Sequence, residues 1–246
     1  MSNSIVFYKM PAMAAYQLAL KQGDTALEKM AARKDVKAEV DYFRDKIQGV
    51  KSVEDLFKDR RLTKFVLDAV DLGKETDKMG LIRKALTQKA EDSDALMNRL
   101  PDKRYKVAAS LLQFGEKGLG QIQRESTKDD LAELYVKSRY NDGLATQNSA
   151  VPLALYLKDN AAGVKNAYDI LGDQRLRHVV TTALGLPLEI ANQSVEAQAA
   201  AIEKRLKISD LSDPKFVDKM AKRFLMLSDD TSVSAGPEQW KLNLFA

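Results

Sequence analysis

Residues 42–72 read YFRDKIQGVKSVEDLFKDRRLTKFVLDAVDL, and residues 156–186 read YLKDNAAGVKNAYDILGDQRLRHVVTTALGL. The two stretches align without a gap at an offset of 114 positions, and 12 of the 31 aligned residues are identical. Seven of the other 19 pairs exchange one apolar residue for another. We therefore predict an internally duplicated chain, in which two related helical units form a pseudo-two-fold domain.

The apolar residues of both stretches recur at helical spacing. Asp59 precedes the pattern as a helix cap in the first copy, and Asp173 does so in the second. Helix ends are predicted at Gly73 in the first copy and at Gly185 in the second. The residues predicted to form the two buried faces are Leu62, Phe65, Val66, Ala69 and Val70, matched by Leu176, Val179, Val180, Ala183 and Leu184.

The rest of the chain has the same helical character. Gly and Pro are sparse and strand-like alternation is nearly absent, so we predict an all-α, multihelical fold. A helix break is predicted near Gly23. Helix starts are predicted at Ser52, before a short helix over 53–58, and at Thr127. The predicted single domain divides into N-terminal helices (1–41), repeat 1 (42–114), bridging helices (115–155), repeat 2 (156–228) and a flexible C-terminal tail (229–246).

The composition is that of a globular protein. The 246 residues are 45% hydrophobic and 30% charged, outside the range of disordered or fibrous chains. The net charge of +4 is a small difference between 39 basic and 35 acidic residues, so it is weak support for nucleic-acid binding. The lack of cysteine excludes disulfides, thiolate catalysis and cysteine-rich zinc sites.

The distribution of apolar residues bears on location. The chain has no uninterrupted run of about 18 apolar residues, so no membrane span is predicted. Lys9 and Pro11 interrupt the apolar residues of the N-terminus, which therefore does not match a secretory signal. We expect a cytoplasmic protein at synthesis. Export through a flagellar-type route, without a cleaved signal, stays open.

A repeated Asp-x-Arg sequence is the most suggestive polar pattern. It occurs as Asp59 with Arg61 and again as Asp173 with Arg175. Two such pairs near a pseudo-two-fold axis would bind an anion or a carboxylate. A structural interpretation is favoured, because Asp is a preferred helix cap and an Arg in the first turn can pair with an acid on the preceding helix.

The other polar candidates have simple explanations. His178 is the only histidine of the chain, and a surface or capping role is favoured. Gly115, Gly118 and Gly120 have neither the preceding strand nor the Gly-Lys-Ser/Thr sequence of a phosphate loop, so a linker is predicted. Acids lie within or directly beside the Lys and Arg clusters at 58–64, 103–106 and 219–223, as is typical of solvated helix faces.

The C-terminal residues carry a functional candidate that competes with a structural role. Trp240, Leu242, Leu244 and Phe245 close the polar tail. They are predicted either to dock on a partner protein or to pack back on the chain's own core. No pattern in the sequence predicts a catalytic group, a cofactor or a metal ligand set.

Several segments along the chain carry a family resemblance. They are 50–55 and 59–62 in the first copy, 147–148 and 153–156 in the middle, 176–187 in the second copy, and 213–225. These residues resemble an uncharacterised alphaproteobacterial family, the domain of unknown function 1217, and the resemblance runs from Tyr42 to Leu227. It implies an all-helical, duplicated fold and a gene often found among flagellar genes. It implies no catalytic residues.

Together with the lack of catalytic groups, the resemblance favours a non-enzymatic protein-interaction or assembly factor associated with the bacterial flagellum. Its partners would then be flagellar proteins. Two other classes stay open. One is an enzyme that uses carboxylates such as Asp55 or Asp169 in a cleft between the repeats, and the other is a weak nucleic-acid binder.

Overall fold

The computed structural model describes residues 10–232, without the side chains of residues 229–232. Every regular element in these residues is an α-helix or a short 3₁₀ helix, which confirms the predicted all-α, multihelical class. The described residues form two compact units. We name them the central unit, residues 23–142, and the terminal unit, residues 10–22 with 143–232.

The central unit contains nine helices or parts of helices. Helix α1 leaves helical geometry at Gly23 (φ 45°, ψ −131°), the first residue of this unit, which confirms the predicted break. An unpredicted second break precedes α2. The helices are α1 (Ala12–Ala31), α2 (Lys34–Ile47), α3 (Val53–Lys58), α4 (Arg60–Ala69), α5 (Met79–Thr87), α6 (Leu96–Arg99), α7 (Lys103–Leu112), α8 (Phe114–Lys117) and α9 (Glu125–Gln147).

The terminal unit combines both ends of the described chain. It takes the first part of α1, the end of α9 and five further helices, so the predicted bridging segment 115–155 is divided between the two units. In α1, Ala12, Ala15, Tyr16 and Ala19 are buried at helical spacing. The further helices are α10 (Ala150–Asn160), α11 (Ala167–Leu171), α12 (Gln174–Ala183), α13 (Val195–Glu203) and α14 (Pro214–Ser232).

The aligned sequence blocks form helices with matching bounds. Helices α4 and α12 begin and end at positions 114 residues apart. Asp59 and Asp173 cap them as predicted, and the predicted buried faces are confirmed except that Leu184 is only half-buried. Ser52 caps α3 as predicted, accepting the Asp55 amide hydrogen bond at 3.1 Å. The duplication itself stays a prediction that these matches support.

The predicted end of α4 at Gly73 is wrong. The residue with left-handed backbone geometry is Asp71 (φ 61°), and the aligned residue Gly185 (φ 63°) ends α12 in the same way. In both copies the next amide donates a hydrogen bond back across the turn, from Leu72 to the Leu67 carbonyl and from Leu186 to the Thr181 carbonyl. An aspartate tolerates this geometry better than most residues with a side chain, which is why glycine is not required in the first copy.

The prediction that Thr127 starts the middle helix is also wrong. Helix α9 begins at Glu125, and Thr127 lies inside its first turn, buried, with its hydroxyl 3.1 Å from the Gln121 amide nitrogen. The threonine side chain therefore contacts the preceding turn and does not cap the helix.

The helices that follow the two Asp-capped turns pack differently. Asp102 caps α7 and Asp213 accepts from the Lys215 amide at the start of α14. Helix α7 then packs on α5 and α6, whereas α14 packs on α10 and α12. Both copies share the Asp cap at the start of the helix, but the two helices pack against different neighbours.

Each unit has its own buried core. In the central unit, the Phe65 ring stacks between Phe43 and Tyr135, with 4.4 Å between ring centroids on both sides. This stack joins α4 to α2 and α9. In the terminal unit, Tyr16 is fully buried and donates a hydrogen bond to Asp218 at 3.1 Å, which joins α1 to α14.

Candidate functional site

The Asp-x-Arg pair of the central unit is part of a three-residue cluster. Asp59 uses one carboxylate oxygen to accept from the amides of Arg61 and Leu62, at 2.9 and 3.0 Å. Its other oxygen accepts from the Tyr42 hydroxyl at 3.1 Å. The Arg61 guanidinium lies over the Tyr42 ring, 3.8 Å from its centroid, and pairs with Glu39 of α2.

The terminal unit contains the same cluster. Asp173 accepts from the amides of Arg175 and Leu176, at 2.9 and 3.0 Å, and from the Tyr156 hydroxyl at 2.5 Å. The Arg175 guanidinium lies 3.6 Å from the centroid of the Tyr156 ring. We name these two arrangements the Tyr-Asp-Arg clusters. Sequence analysis found their Asp and Arg but missed the tyrosines, although Tyr42 and Tyr156 align at the same offset.

The contacts of the clusters are those of helix caps. Each carboxylate holds the first turn of a helix and a tyrosine from the preceding long helix. Burial, and then the hydrogen bond to Asp173, raise the pKa of Tyr156, so the phenol stays protonated and acts as the donor. The pKa of Tyr42 is raised for the same two reasons. The structural interpretation of Asp-x-Arg is therefore the one the contacts support.

Replacing Asp173 with alanine is expected to lower the free energy of unfolding by about 2 kcal/mol. Loss of the cap accounts for about 1 kcal/mol, and the half-buried Tyr156 hydroxyl, left without its acceptor, accounts for the rest. Urea denaturation of the full chain measures the change. Glu189→Ala is the matched control, since this exposed acid makes no cap and should change stability by less than about 0.5 kcal/mol. Equal effects of the two substitutions would contradict the assigned role.

The carboxylates considered for an enzyme also have local partners. Asp55 accepts from the Ser52 hydroxyl at 2.8 Å and from Lys58 at 3.0 Å, and these contacts lower its pKa. Asp169 accepts from the Lys165 amide at 3.0 Å. A general acid needs a raised pKa, so the surroundings of Asp55 act in the opposite direction.

Each basic cluster contains Lys or Arg residues that form ion pairs with nearby acids. Lys64 binds Asp68 at 2.8 Å, and Lys222 binds Asp218 at 2.7 Å. Arg104 is the most buried of these cations. It binds Asp102 at 2.7 Å and Glu75 at 2.9 Å, so it joins α7 to the segment before α5. Pairing of this kind is typical of structural ion pairs and leaves less charge for a phosphate backbone.

His178 lies closer to the core than predicted. Its ring is partly buried and meets the Phe224 ring edge to face, with 5.6 Å between centroids. The aligned residue Lys64 is exposed, so the surface role predicted for this position applies to only one copy. Burial, and then the nearby charge of Arg177, lower the pKa of His178.

Acid is expected to destabilise the terminal unit through His178. The folded chain binds the proton less readily than the unfolded chain, whose histidine pKa is about 6.5. Stability is therefore fully present above that value and falls as the pH drops from about 7 to about 5. Urea denaturation across this range should show a smaller loss for His178→Gln than for the wild type. Parallel pH profiles for the two proteins would contradict the prediction.

Three further predictions concern a metal site, a membrane span and the C-terminal docking residues. Within residues 10–232, no group of three or more His, Asp or Glu side chains is arranged to hold a metal ion. In the same residues, none of the helices has the length and apolar character needed to cross a membrane. The predicted docking residues Trp240, Leu242, Leu244 and Phe245 lie outside the described residues.

The central unit contains an apolar groove that the sequence did not reveal. It consists of two adjoining depressions of ≈390 and ≈420 Å³ that share Leu27 and Glu133. Its walls are the second segment of α1, the start of α2, the end of α7 and the first half of α9. The larger apolar side chains that line it are Leu27, Val40, Leu111, Leu134 and Val136.

Helical spacing explains why these residues share the groove. Leu27 and Ala31 lie one turn apart on α1, as do Glu133 and Lys137 on α9. Leu134 is 37% exposed, while its neighbour Tyr135 is buried in the aromatic stack. Two adjacent apolar residues on a helix point about 100° apart, so one of this pair had to face away from the core. The adjacent apolar residues Leu134 and Tyr135 were therefore the sequence signal for an exposed apolar side chain on α9.

The fold and these contacts define an all-α protein of two helical units, whose repeated polar residues cap helices. The profile of the family described as "Protein of unknown function (DUF1217)" matches residues 69–217. The chain belongs to this family, as the resemblance implied.

A solved structure agrees with this assignment. The chain is similar to the crystal structure of a protein from Agrobacterium tumefaciens, with 33% sequence identity and a TM-score of 0.76. The similarity covers 92% of this chain and 96% of that one. The comparison with curated proteins gives no match.

Proposed function

We propose that the protein is a non-enzymatic interaction protein that acts as an assembly or accessory factor of the bacterial flagellum. The observation that carries the proposal is the apolar groove of the central unit. Grooves between helices are a common surface for receiving a helix of a partner protein. The flagellar context comes from the family resemblance, which implies a gene often found among flagellar genes.

The local contacts of the polar residues support the same proposal. Asp59 and Asp173 cap helices, and the Asp55 and Asp169 carboxylates accept hydrogen bonds from their own turns. An active site usually needs titratable groups that converge in a pocket with pKa values shifted toward the pH of use. Seven of the 13 residues that line the groove are leucine, valine or alanine.

The experiment is to express the full chain with an affinity tag in the bacterium that encodes it and to crosslink motile cells. Proteins recovered with the tag are compared with those from an aflagellate strain. We expect flagellar components only in the first preparation. A strain without the gene should lose motility or filaments and recover them with the wild-type gene. Normal motility in that strain, with no flagellar protein recovered, would contradict the proposal.

A truncated version tests the predicted role of the C-terminal residues. Removal of residues 237–246 deletes all four predicted docking residues. Loss of the recovered partners would assign binding to this segment. Retention would assign it to the rest of the chain, where the apolar groove is the candidate.

A further inference from the structure

We propose that the apolar groove of the central unit binds an amphipathic helix of a partner protein whose apolar face is flanked by Lys or Arg. The inference rests on the proposed function, since it names the chemistry of the partner. Three features of the groove support it: its apolar lining, its walls of helices and the unpaired acids at its rim.

The lining indicates an apolar occupant. Leu134 is 37% exposed in the groove, and Leu27 and Leu111 line it from the facing helices. On α7, Val107 lies one turn before Leu111 and is 67% exposed, so the apolar surface continues along this helix. Side chains of this kind are stabilised when a partner removes them from water.

The walls indicate a helical occupant. The two depressions adjoin, because both contain Leu27 of α1 and Glu133 of α9. Helices with apolar residues at positions i, i+3, i+4 and i+7 fit grooves of this type. The walls are helical, so they offer no sheet edge to which an extended peptide could add.

The rim indicates a basic occupant. Asp24, Glu28, Asp130 and Glu133 line the groove, and none of the four has an ion-pair partner within residues 10–232. Lys37 and Lys137 also line it, so acids exceed bases. Charges of opposite sign on a partner would add attraction and speed the encounter.

Within residues 10–232, some acids of the central unit form ion pairs and others, such as the exposed Asp41 and Glu54, do not. Glu39 pairs with Arg61, Asp68 with Lys64, and Glu75 with Arg104. The chain carries 39 basic residues, so a shortage of cations does not account for the unpaired rim. A local cluster of acids without partners beside an apolar surface is what a basic amphipathic helix would complement.

The C-terminal segment of the chain itself fits this groove less well. Trp240, Leu242 and Leu244 alternate with other residues, which is the period of an extended strand rather than of a helix. Residues 237–246 contain a single basic residue, Lys241. A second copy of the chain could supply this segment, and the experiment below therefore includes it as a competitor.

The experiment measures binding of the full chain to labelled synthetic peptides. One peptide of about 18 residues places Leu and Ala on one helical face and Lys on its flanks, and the second replaces Lys with Glu. Fluorescence anisotropy should give a dissociation constant of about 10 μM for the Lys peptide at low salt. We expect binding at least about tenfold weaker for the Glu peptide, and a loss of the difference at high salt.

Three variants locate the site. Leu134→Asp should weaken binding of the Lys peptide at least about tenfold. Leu20→Asp is the matched control, because Leu20 is 38% exposed and lies in the terminal unit. The double variant Asp130→Lys with Glu133→Lys changes only exposed positions and should reverse the preference toward the Glu peptide. It keeps the test valid if Leu134→Asp fails to fold.

Several results would overturn the inference. One is equal binding of the two peptides, and another is an equal effect of Leu20→Asp and Leu134→Asp. A third is displacement of the Lys peptide by a synthetic peptide of residues 233–246 at lower concentration, which would make the tail the occupant. Recovery of the same flagellar partners by the charge-reversed variant would exclude the groove and leave the proposed function standing.

Discussion

Replacing Phe65 with alanine is expected to lower the free energy of unfolding of the central unit by about 4 kcal/mol. Phe65 is 2% exposed, and its ring stacks between Phe43 and Tyr135 with interplanar angles of 14° and 26°. Truncation removes the apolar contact of a whole ring and leaves a cavity where α2, α4 and α9 meet. It also removes two aromatic pairs, each with about 0.5–1.5 kcal/mol beyond simple burial.

Two control variants separate this effect from a general response to substitution. Phe65→Leu keeps most of the apolar volume and should cost about 1.5 kcal/mol. Tyr168→Ala removes an aromatic ring that is 51% exposed in the terminal unit, and should change stability by less than about 0.5 kcal/mol.

Urea denaturation followed by circular dichroism measures the size of the loss, and hydrogen exchange locates it. Amides of residues 125–142 should lose protection in Phe65→Ala, because the stack is what holds this part of α9 to α4. Loss of protection confined to residues 143–232 would contradict the assignment of the stack to the central unit.

Replacing Gly115 with alanine is expected to lower the free energy of unfolding by about 3 kcal/mol. A Cβ atom at this position would lie 2.3 Å from the Gln88 carbonyl oxygen and 2.8 Å from the Lys89 amide nitrogen. Both are backbone atoms, which cannot swing away as the end of a flexible side chain can. Helix α8 would have to move from the end of α5. That movement would break the hydrogen bond from the Ala90 amide to Glu116, which is 2.6 Å long.

Gly80→Ala is the matched control, with an expected effect of opposite sign. Gly80 is exposed in the first turn of α5, and a Cβ atom there would meet no other atom within 4 Å. Alanine favours a helix interior over glycine by about 1 kcal/mol and the first turn by less, so this variant should be slightly more stable than the wild type. Similar melting curves for the two variants would contradict the role of Gly115 as a close-packing residue.

Gly115 illustrates one limit of reading the chain alone. The glycines at 115, 118 and 120 were interpreted as a linker rather than a phosphate loop. The structure instead places Gly115 in a short helix against the backbone of residues 88 and 89. Nothing near position 115 in the sequence reports this approach, because the approaching backbone lies more than 20 residues earlier.

The end of α4 illustrates a signal that was present and missed. Gly73 was chosen because glycine is the usual residue at a helix end. The alignment at an offset of 114 pairs Asp71 with Gly185, and these two residues share the left-handed geometry. Comparison of the two copies at this position would have identified the turn, since an aspartate opposite a glycine is one of the few pairs that this geometry accepts.

The groove shows why a binding surface is harder to predict than a helix. Helix caps such as Asp59 and Asp173 act on amides two and three residues away, so neighbouring residues were enough to place them. The choice between Leu134 and Tyr135 as the buried residue depends on the position of Phe65, about 70 residues away in the chain. Periodicity shows that a helix has an apolar side, but not which neighbour will cover it.

Local chemistry in the chain was sufficient for the helical class, the start of α4, both bounds of α12, and the capping role of both Asp-x-Arg pairs. These features depend on spacings of a few residues, over which backbone geometry leaves little choice. Packing decided the rest: the tyrosines of the Tyr-Asp-Arg clusters, the division of α1 and α9 between two units, and the unpaired acids beside Leu134. Such contacts join residues far apart in the chain, and their energies are settled only when the helices have docked.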